Sequence, residues 1–375
     1  MAGIYIHIPF CRSKCIYCDF YSIGANEALV DSYIGALVSE CRLRYDELRG
    51  EAVHTVYIGG GTPSLLSLNQ LKRLIDGIGS IVDLKCVEEF TVEVNPDDVF
   101  HDFVSGVSAL GVNRVSMGIQ SFVDDELSAI NRRHTANQAI VAVGTIRNAG
   151  ISNISIDLIY GLPGQTFESW DFSLSEAVKL NVPHISCYNL SYEEGTRLYR
   201  MRESGLLTEC SDDDCIAMYK LLSRRMRDSG YEHYEVSNFA KPDMYSRHNS
   251  AYWSGAVYLG LGASAHSFDG ISRSYNIANV RRYIELMSSG TLACERESLS
   301  EVERYDEYVM IHMRTSRGVD VKDIIRIFGS QFSSHFVSEA QRHVDSRLLL
   351  CNDGVYRLTD EGVMLSDMII RDLMW

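Results

Sequence analysis

The chain has 375 residues, 46% of them hydrophobic, which is enough for one large domain and a smaller one. Its 35 Lys and Arg stand against 50 Asp and Glu, a formal net charge of -15; generic nucleic-acid binding and docking on anionic membranes both need a basic footprint and are disfavoured. No run approaches the roughly 18 uncharged apolar residues of a membrane span, and the N-terminus enters a strand-like segment at once in place of a basic leader, so a cytoplasmic protein is expected.

From the N-terminus, β-rich runs at 4–8, 55–58, 89–94, 115–119, 154–159 and 184–190 alternate with helical spacing. The helical stretches are 30–48, 68–82, 126–130 with 137–148, and 167–180. Strand then helix, repeated about six times, predicts parallel βαβ units. Several strands end in polar or Gly-rich turns: Gly59-Gly60-Gly61-Thr62-Pro63, Glu93-Val94-Asn95-Pro96, Gln120-Ser121 and the run from Asp157. An α/β barrel places its chemistry at that end of its strands. The pattern alone does not separate a closed barrel from a partial one.

Residues 206–229 read as a helix, 231–240 as a strand and its exit, and 241–270 as a Gly-, Ser- and aromatic-rich loop region packed on the barrel. From about 300 the texture becomes helical, at 301–313, 321–328 and 332–347. A hairpin of 348–351 and 355–358 follows around Asn352-Asp353-Gly354, then a last helix over 360–373. That order looks like a winged helix. Residues 300–375 carry nine Lys/Arg against thirteen Asp/Glu, a net of -4, so a structural or partner-docking role is favoured over DNA binding. The expected organisation is a barrel over 1–240, a connecting region over 241–299 packed on it, and a C-terminal, mostly helical domain over 300–375.

Ten cysteines without a secretion signal read as reduced thiols or metal ligands. Cys41, Cys86, Cys187, Cys210, Cys215, Cys294 and Cys351 are scattered and suit small apolar fillers. Cys11, Cys15 and Cys18 alone cluster, as CxxxCxxC just after a strand. Thiolates suit iron–sulfur clusters, and three on one loop can hold three corners of a 4Fe-4S cube. The fourth iron is then open to a chelating small molecule. The alternatives are unrelated thiols and a zinc site; zinc usually takes four protein ligands, and His7 is a conceivable fourth, but it sits inside the preceding strand.

This loop resembles the signature of the radical-SAM family. The resemblance implies an α/β fold built as a partial (β/α)6 TIM-like barrel, a 4Fe-4S cluster on Cys11, Cys15 and Cys18, and S-adenosylmethionine (SAM) on the open iron. In that family an electron from the reduced cluster cleaves SAM to a 5'-deoxyadenosyl radical. Tyr5-Ile6-His7-Ile8-Pro9-Phe10-Cys11, the Gly59–Pro63 turn and Ile156-Asp157-Leu158-Ile159-Tyr160-Gly161-Leu162-Pro163 resemble the HemN-like subfamily, and the similarity spans nearly the whole chain. It implies that Tyr5 and Tyr17 lie near SAM, that Gly60, Gly61 and Thr62 meet its amino group, and that Glu93 and Asp157 contact it. Gln120 and Arg132 match residues that hold a second SAM in HemN. Singly, each also reads as a tight turn or a satisfied polar residue at a strand end; together they favour one shared site.

Two features depart from HemN. Phe20 stands where HemN has a fourth cysteine, and Cys11 is only the eleventh residue, so HemN's extended N-terminal segment is expected to be absent. Both match the HemW family, as does Arg247-His248-Asn249-Ser250-Ala251-Tyr252-Trp253, which resembles its HNxxYW motif. HemW proteins bind haem and are thought to pass it to membrane-bound respiratory proteins, without dehydrogenase activity. That resemblance implies haem and haem-accepting respiratory proteins as partners, and is compatible with peripheral membrane contact and a dimer. His248 can serve as an axial iron ligand, with Tyr252 and Trp253 as aromatic faces for a porphyrin; equally, His248 and Asn249 can orient a loop that Trp253 anchors. His266 is a second candidate. Competing readings are an oxygen-independent coproporphyrinogen III dehydrogenase, a radical-SAM enzyme with another substrate, and a cluster-bearing structural protein.

Overall fold

The structure, a computed structural model, describes residues 2–375. Strand β1 (Ala2–Ile8) is buried along nearly its whole length, as expected of a parallel strand covered on both faces. Strands β2 (Val53–Gly60), β3 (Glu89–Val94), β4 (Arg114–Gln120), β5 (Asn153–Tyr160) and β6 (His184–Asn189) follow it in space in the same order, each parallel to the last. The chain returns through α1 (Glu27–Arg44), α2 (Leu68–Gly79), α3 (His101–Ala109), α4 (Asp124–Ala129) with α5 (Ala136–Asn148), and α6 (Phe167–Leu180). Capping boxes led by Ser67, Thr135 and Thr166 start α2, α5 and α6. Helix α3 is not among the expected helices; it is short, contains Gly106, and Phe100 gives it no side-chain cap.

Beyond β6 come α7 (Arg197–Glu203), α8 (Asp212–Asp228), β7 (Glu232–Glu235), β8 (Asn238–Ala240), α9 (Arg247–Trp253), β9 (Tyr258–Leu261), β10 (His266–Phe268), β11 (Ser272–Asn276), α10 (Val280–Ser288) and β12 (Cys294–Ser298). They extend the barrel sheet at both ends, in the order β12-β11-β10-β9-β1-β2-β3-β4-β5-β6-β8-β7. Strand β9 is parallel to β1, while β8 is antiparallel to β6. The twelve-stranded sheet does not close, so the barrel is partial. The expected loop region over 241–270 is corrected here: it contains α9 and the paired strands β9 and β10. Gly260 accounts for the difference. A Cβ on it would sit 2.0 Å from the His266 carbonyl oxygen, so this glycine permits close strand approach and does not mark a loop.

The C-terminal part runs α11 (Glu301–Met313), β13 (Val319–Asp320), α12 (Val321–Phe328), α13 (Ser330–Asp345), β14 (Leu349–Asn352), β15 (Val355–Leu358), α14 (Asp360–Met364) and α15 (Ser366–Leu373). Its three-stranded sheet has the order β13-β15-β14. Tyr305, Phe332, Phe336, Leu349 and Ile369 form a core distinct from the one that packs the barrel helices on their sheet. The expected single helix over 360–373 breaks at Leu365, which leaves helical geometry (φ -112°, ψ 18°). Among the described residues no helix is long and apolar enough to cross a membrane.

Candidate cofactor site

The cysteine loop leaves β1 and is pegged at several points. Phe10–Cys11 pairs with Ile23–Gly24. Ile16 N–H donates to the Ile130 carbonyl (3.4 Å), Leu198 N–H donates to the Ile16 carbonyl (2.8 Å), and Asn131 Nδ2 donates to the Lys14 carbonyl (2.9 Å). The loop is thereby fixed to the turn after α4 and to the start of α7. Two donors face its sulfurs: Arg132 Nη1 lies 3.5 Å from Cys15 Sγ, and the Thr62 hydroxyl 3.7 Å from Cys11 Sγ. Such donors stabilise thiolate charge. Cys11, Cys15 and Cys18 are all partly exposed and line one cavity of about 1410 Å³. Among the described residues no three Cys, His, Asp or Glu side chains gather closely enough to hold a single ion. A cubane takes each thiolate at a different iron and so needs no such convergence.

The Gly-rich turn closes the next side of this cavity. Gly60 has φ +108°, and a Cβ there would lie 2.4 Å from His7 Nδ1. Its N–H donates to Glu93 Oε2 (2.9 Å), while the Tyr57 hydroxyl donates to Glu93 Oε1 (2.7 Å). Burial pushes the Glu93 carboxyl up to about 7, against the pull of Tyr57. Asp157 is raised too, by burial, with Ser186 and Arg114 opposing. Arg132 Nη2 donates to Asn95 Oδ1 (2.9 Å) and to the Gly118 carbonyl. Gln120 sits at a register shift of β4 with φ 72°. Tyr5 shares a hydrogen bond with His7 Nδ1 (2.9 Å). The structure thus brings Tyr5, Tyr17, Gly60, Gly61, Thr62 and Glu93 to the same cavity as the thiols, with Gln120 at the end of β4, Arg132 in the turn between α4 and α5, and Asp157 within β5.

His248 also faces this cavity, from α9. Its Nδ1 meets Thr55 Oγ1 at 2.8 Å, its Nε2 meets the Tyr252 hydroxyl at 2.9 Å, and its backbone N–H donates to Glu89 Oε1 at 2.9 Å. The ring stacks on Tyr57 with centroids 5.2 Å apart. Burial, and secondarily Arg114, push its pKa down to about 3, so it is neutral. Both ring nitrogens are engaged. As placed, His248 braces α9 against β2 and offers no free nitrogen to an iron, and the orienting reading fits it better than the ligating one. The motif lies on a helix, not in a loop.

Sequence reasoning missed the far wall of the cavity, which α11 and α12 supply through Arg304, Tyr308, His312 and Phe328. It also missed Arg114, buried in the floor beside Asp157; a charged residue opening an otherwise apolar strand was the available signal.

A parallel partial barrel, with three thiols on the loop after its first strand and polar groups at the following strand ends, defines a radical-SAM protein. The Radical SAM superfamily profile matches residues 5–176. The heme chaperone HemW of Lactococcus lactis is 35% identical over 370 residues, covering 99% of this chain and 96% of that one. HemW of Escherichia coli is 37% identical over 266 residues, 70% of this chain and 69% of its own. The chain belongs to the HemW family of radical-SAM proteins. Among solved structures, coproporphyrinogen III oxidase (HemN) from Escherichia coli superposes with a TM-score of 0.86 at 24% identity, covering 100% of this chain and 90% of that one, and shares the fold. The superfamily implies a 4Fe-4S cluster and SAM. The residues fit both: three thiols on one anchored loop, two donors facing their sulfurs, and a glycine turn that packs without side chains against β1 and the start of that loop while lining the same cavity.

Proposed function

We propose that the protein is a haem chaperone: it binds haem in the cavity that takes the cluster and SAM, and passes it to haem-accepting respiratory proteins. The observation that carries this reading is the continuity of that cavity, from the thiols past an aromatic wall to the C-terminal helices. Its volume of about 1410 Å³ exceeds the roughly 300–1,000 Å³ of a single small-molecule pocket, leaving room for two ligands. Relatives of about one-third identity along the whole chain carry the chaperone name, which supports the same use here.

In this reading Cys11, Cys15 and Cys18 hold the cluster. Tyr5, Tyr17, Gly60, Gly61, Thr62, Glu93, Gln120, Arg132 and Asp157 bind and orient SAM. When bound, the reduced cluster supplies an electron to SAM; the protein's own groups position the ligand and exclude water. His248, Tyr252 and Trp253 form a wall for the porphyrin. Residues 1–240, 241–299 and 300–375 act as barrel, connector and C-terminal unit, the last offering the face on which an acceptor docks.

The test is anaerobic titration of the cluster-reconstituted protein with haem, followed by absorbance. Saturable binding near one haem per chain is expected. No specific binding, or multiple-turnover formation of protoporphyrinogen from coproporphyrinogen III, would overturn the chaperone reading.

A further inference from the structure

Five histidines line the cavity: His7, His184, His248, His266 and His312. His7 is held by Tyr5 and the Tyr21 carbonyl, His184 by Ser155 and Tyr234, and His248 by Thr55 and Tyr252. His312 is buried, with Nδ1 on the Tyr308 carbonyl at 2.8 Å. His266, at the start of β10, is solvent-exposed, and among the described residues its imidazole meets only the Tyr275 ring, 5.9 Å away. It is the one cavity imidazole with both nitrogens free and reachable.

Its surroundings suit a flat, apolar dianion. A run of rings leads along the cavity wall from Tyr57 to His248 (5.2 Å), Tyr252 (4.9 Å), Tyr258 (4.5 Å) and Phe268 (6.5 Å). Phe268 lies two residues from His266 on β10 and therefore on the same face. Although the chain carries a net charge of -15, the cavity lining holds seven Lys/Arg against five Asp/Glu. Two of those cations are already neutralised, Arg273 by Glu307 (2.6 Å) and Arg326 by Asp323 (2.7 Å). Arg304 has no ion pair among the described residues, and Arg317 reaches Asp323 only at 3.7 Å. The Arg273–Glu307 pair ties β11 to α11, one turn from Arg304, and Arg273 lies opposite Phe268 in the sheet. Imidazole, aromatic wall and the unpaired Arg304 thus share one side of the cavity, which Arg317, held to Asp323 by a long ion pair, also lines.

We infer that His266 is the axial ligand to the haem iron and that Arg304 and Arg317 hold the haem propionates, an assignment that rests on the haem-chaperone reading. Guanidinium forks match carboxylates bidentately. Partial desolvation at the cavity rim, then Arg273, holds the pKa of the exposed His266 ring below the usual value, so the ring is in its neutral, ligating form at neutral pH. An accessible imidazole at the cavity rim also suits cargo that must be handed on.

The experiment titrates the full-length, cluster-reconstituted protein anaerobically with haem, metal-free protoporphyrin IX and haem dimethyl ester in one mild detergent. Wild type is compared with His266→Ala and with the double variant Arg304→Ala, Arg317→Ala; cluster absorbance and SAM binding confirm that each variant is folded. His266→Ala is expected to shift the Soret band and weaken haem about tenfold, with no change for the metal-free porphyrin and recovery of the band on adding imidazole. The arginine variant is expected to weaken haem and protoporphyrin alike, and the diester little. A wild-type spectrum and affinity in His266→Ala, or equal binding of haem and its diester to wild type, overturns the assignment while leaving the chaperone reading intact. Absence of haem binding by wild type overturns both.

Discussion

Thr55 Oγ1 and His248 Nδ1 lie 2.8 Å apart at the side of the cavity, a bond that ties α9 to β2 through an uncharged ring. Burial and Arg114 push the His248 pKa down to about 3, burial and Arg132 hold His134 at about 3, and burial keeps His184 well below its usual value. An unfolded histidine titrates near 6.5. Because the folded pKa values are depressed, the stability tied to these neutral rings is present above about pH 6.5 and is lost as pH falls from there towards 3. The slope is up to about 1.4 kcal/mol per pH unit per ring. Urea midpoints measured from pH 8 to pH 5 should drop on the acid side, and His248→Gln should drop less steeply. A flat profile over that range would refute the buried, neutral state of these rings.

Glu93 titrates in the opposite sense. Its folded pKa, about 7 through burial, lies above the unfolded value of about 4.3, so the stability linked to its protonated form is present below about pH 4.3 and is lost as pH rises through 7. A cationic ligand beside Glu93 favours the carboxylate. SAM binding near pH 6.5 should therefore release a proton, and SAM affinity should rise with pH through about 7. Calorimetry in two buffers of different ionisation heat reads the release directly. Equal heats in the two buffers, or an unchanged difference in Glu93→Gln, would remove Glu93 from the SAM site.

What the chain's own pattern disclosed is what local chemistry dictates. The runs over 89–94, 167–180, 301–313 and 321–328 coincide with β3, α6, α11 and α12, since buried parallel strands and amphipathic helices write their periods into contiguous residues. The cluster loop was legible because few residue types hold iron and sulfide. The bonding of His248 was not, since its partner Thr55 is 193 residues away. Nor was the freedom of His266, which is defined by the absence of partners that any of several elements could have supplied. The cationic wall on α11 exists only because the C-terminal helices pack over the barrel mouth, and no local pattern records that closure.

The glycine turn gives a contrast in mutational cost. An alanine at Gly61 would place its Cβ 2.8 Å from the carbonyl oxygens of Ile8 and Phe10, and one at Gly60 would combine φ +108° with the contact on His7. The backbone oxygens facing Gly61 cannot swing aside, and at Gly60 the left-handed φ strains any side chain, so each substitution should cost on the order of 2 kcal/mol or more and impair SAM binding. Gly144, inside α5, has open space within 4 Å of where a Cβ would stand and no positive φ; Gly144→Ala should stabilise by about 0.5–1 kcal/mol. Thermal unfolding of the three variants compares them, and a Gly61→Ala protein as stable as wild type would contradict the packing of the turn.

Arg132 joins the cluster loop to the strand ends, donating to Cys15 Sγ at 3.5 Å through Nη1 and to Asn95 and the Gly118 carbonyl through Nη2. A lysine keeps the charge but cannot span three acceptors in different directions with one point donor. Cys15 would keep its place in the chain yet lose the group that steadies its thiolate. Losing a partner of this kind commonly weakens metal retention about 10–100-fold. Arg132→Lys should therefore reconstitute a cluster that is lost several-fold faster in air or under chelator than the wild-type one, whereas Cys15→Ala should assemble none. Both are read from the decay of visible absorbance under matched conditions. Decay of Arg132→Lys at the wild-type rate would mean that the Arg132–Cys15 contact does not support the cluster.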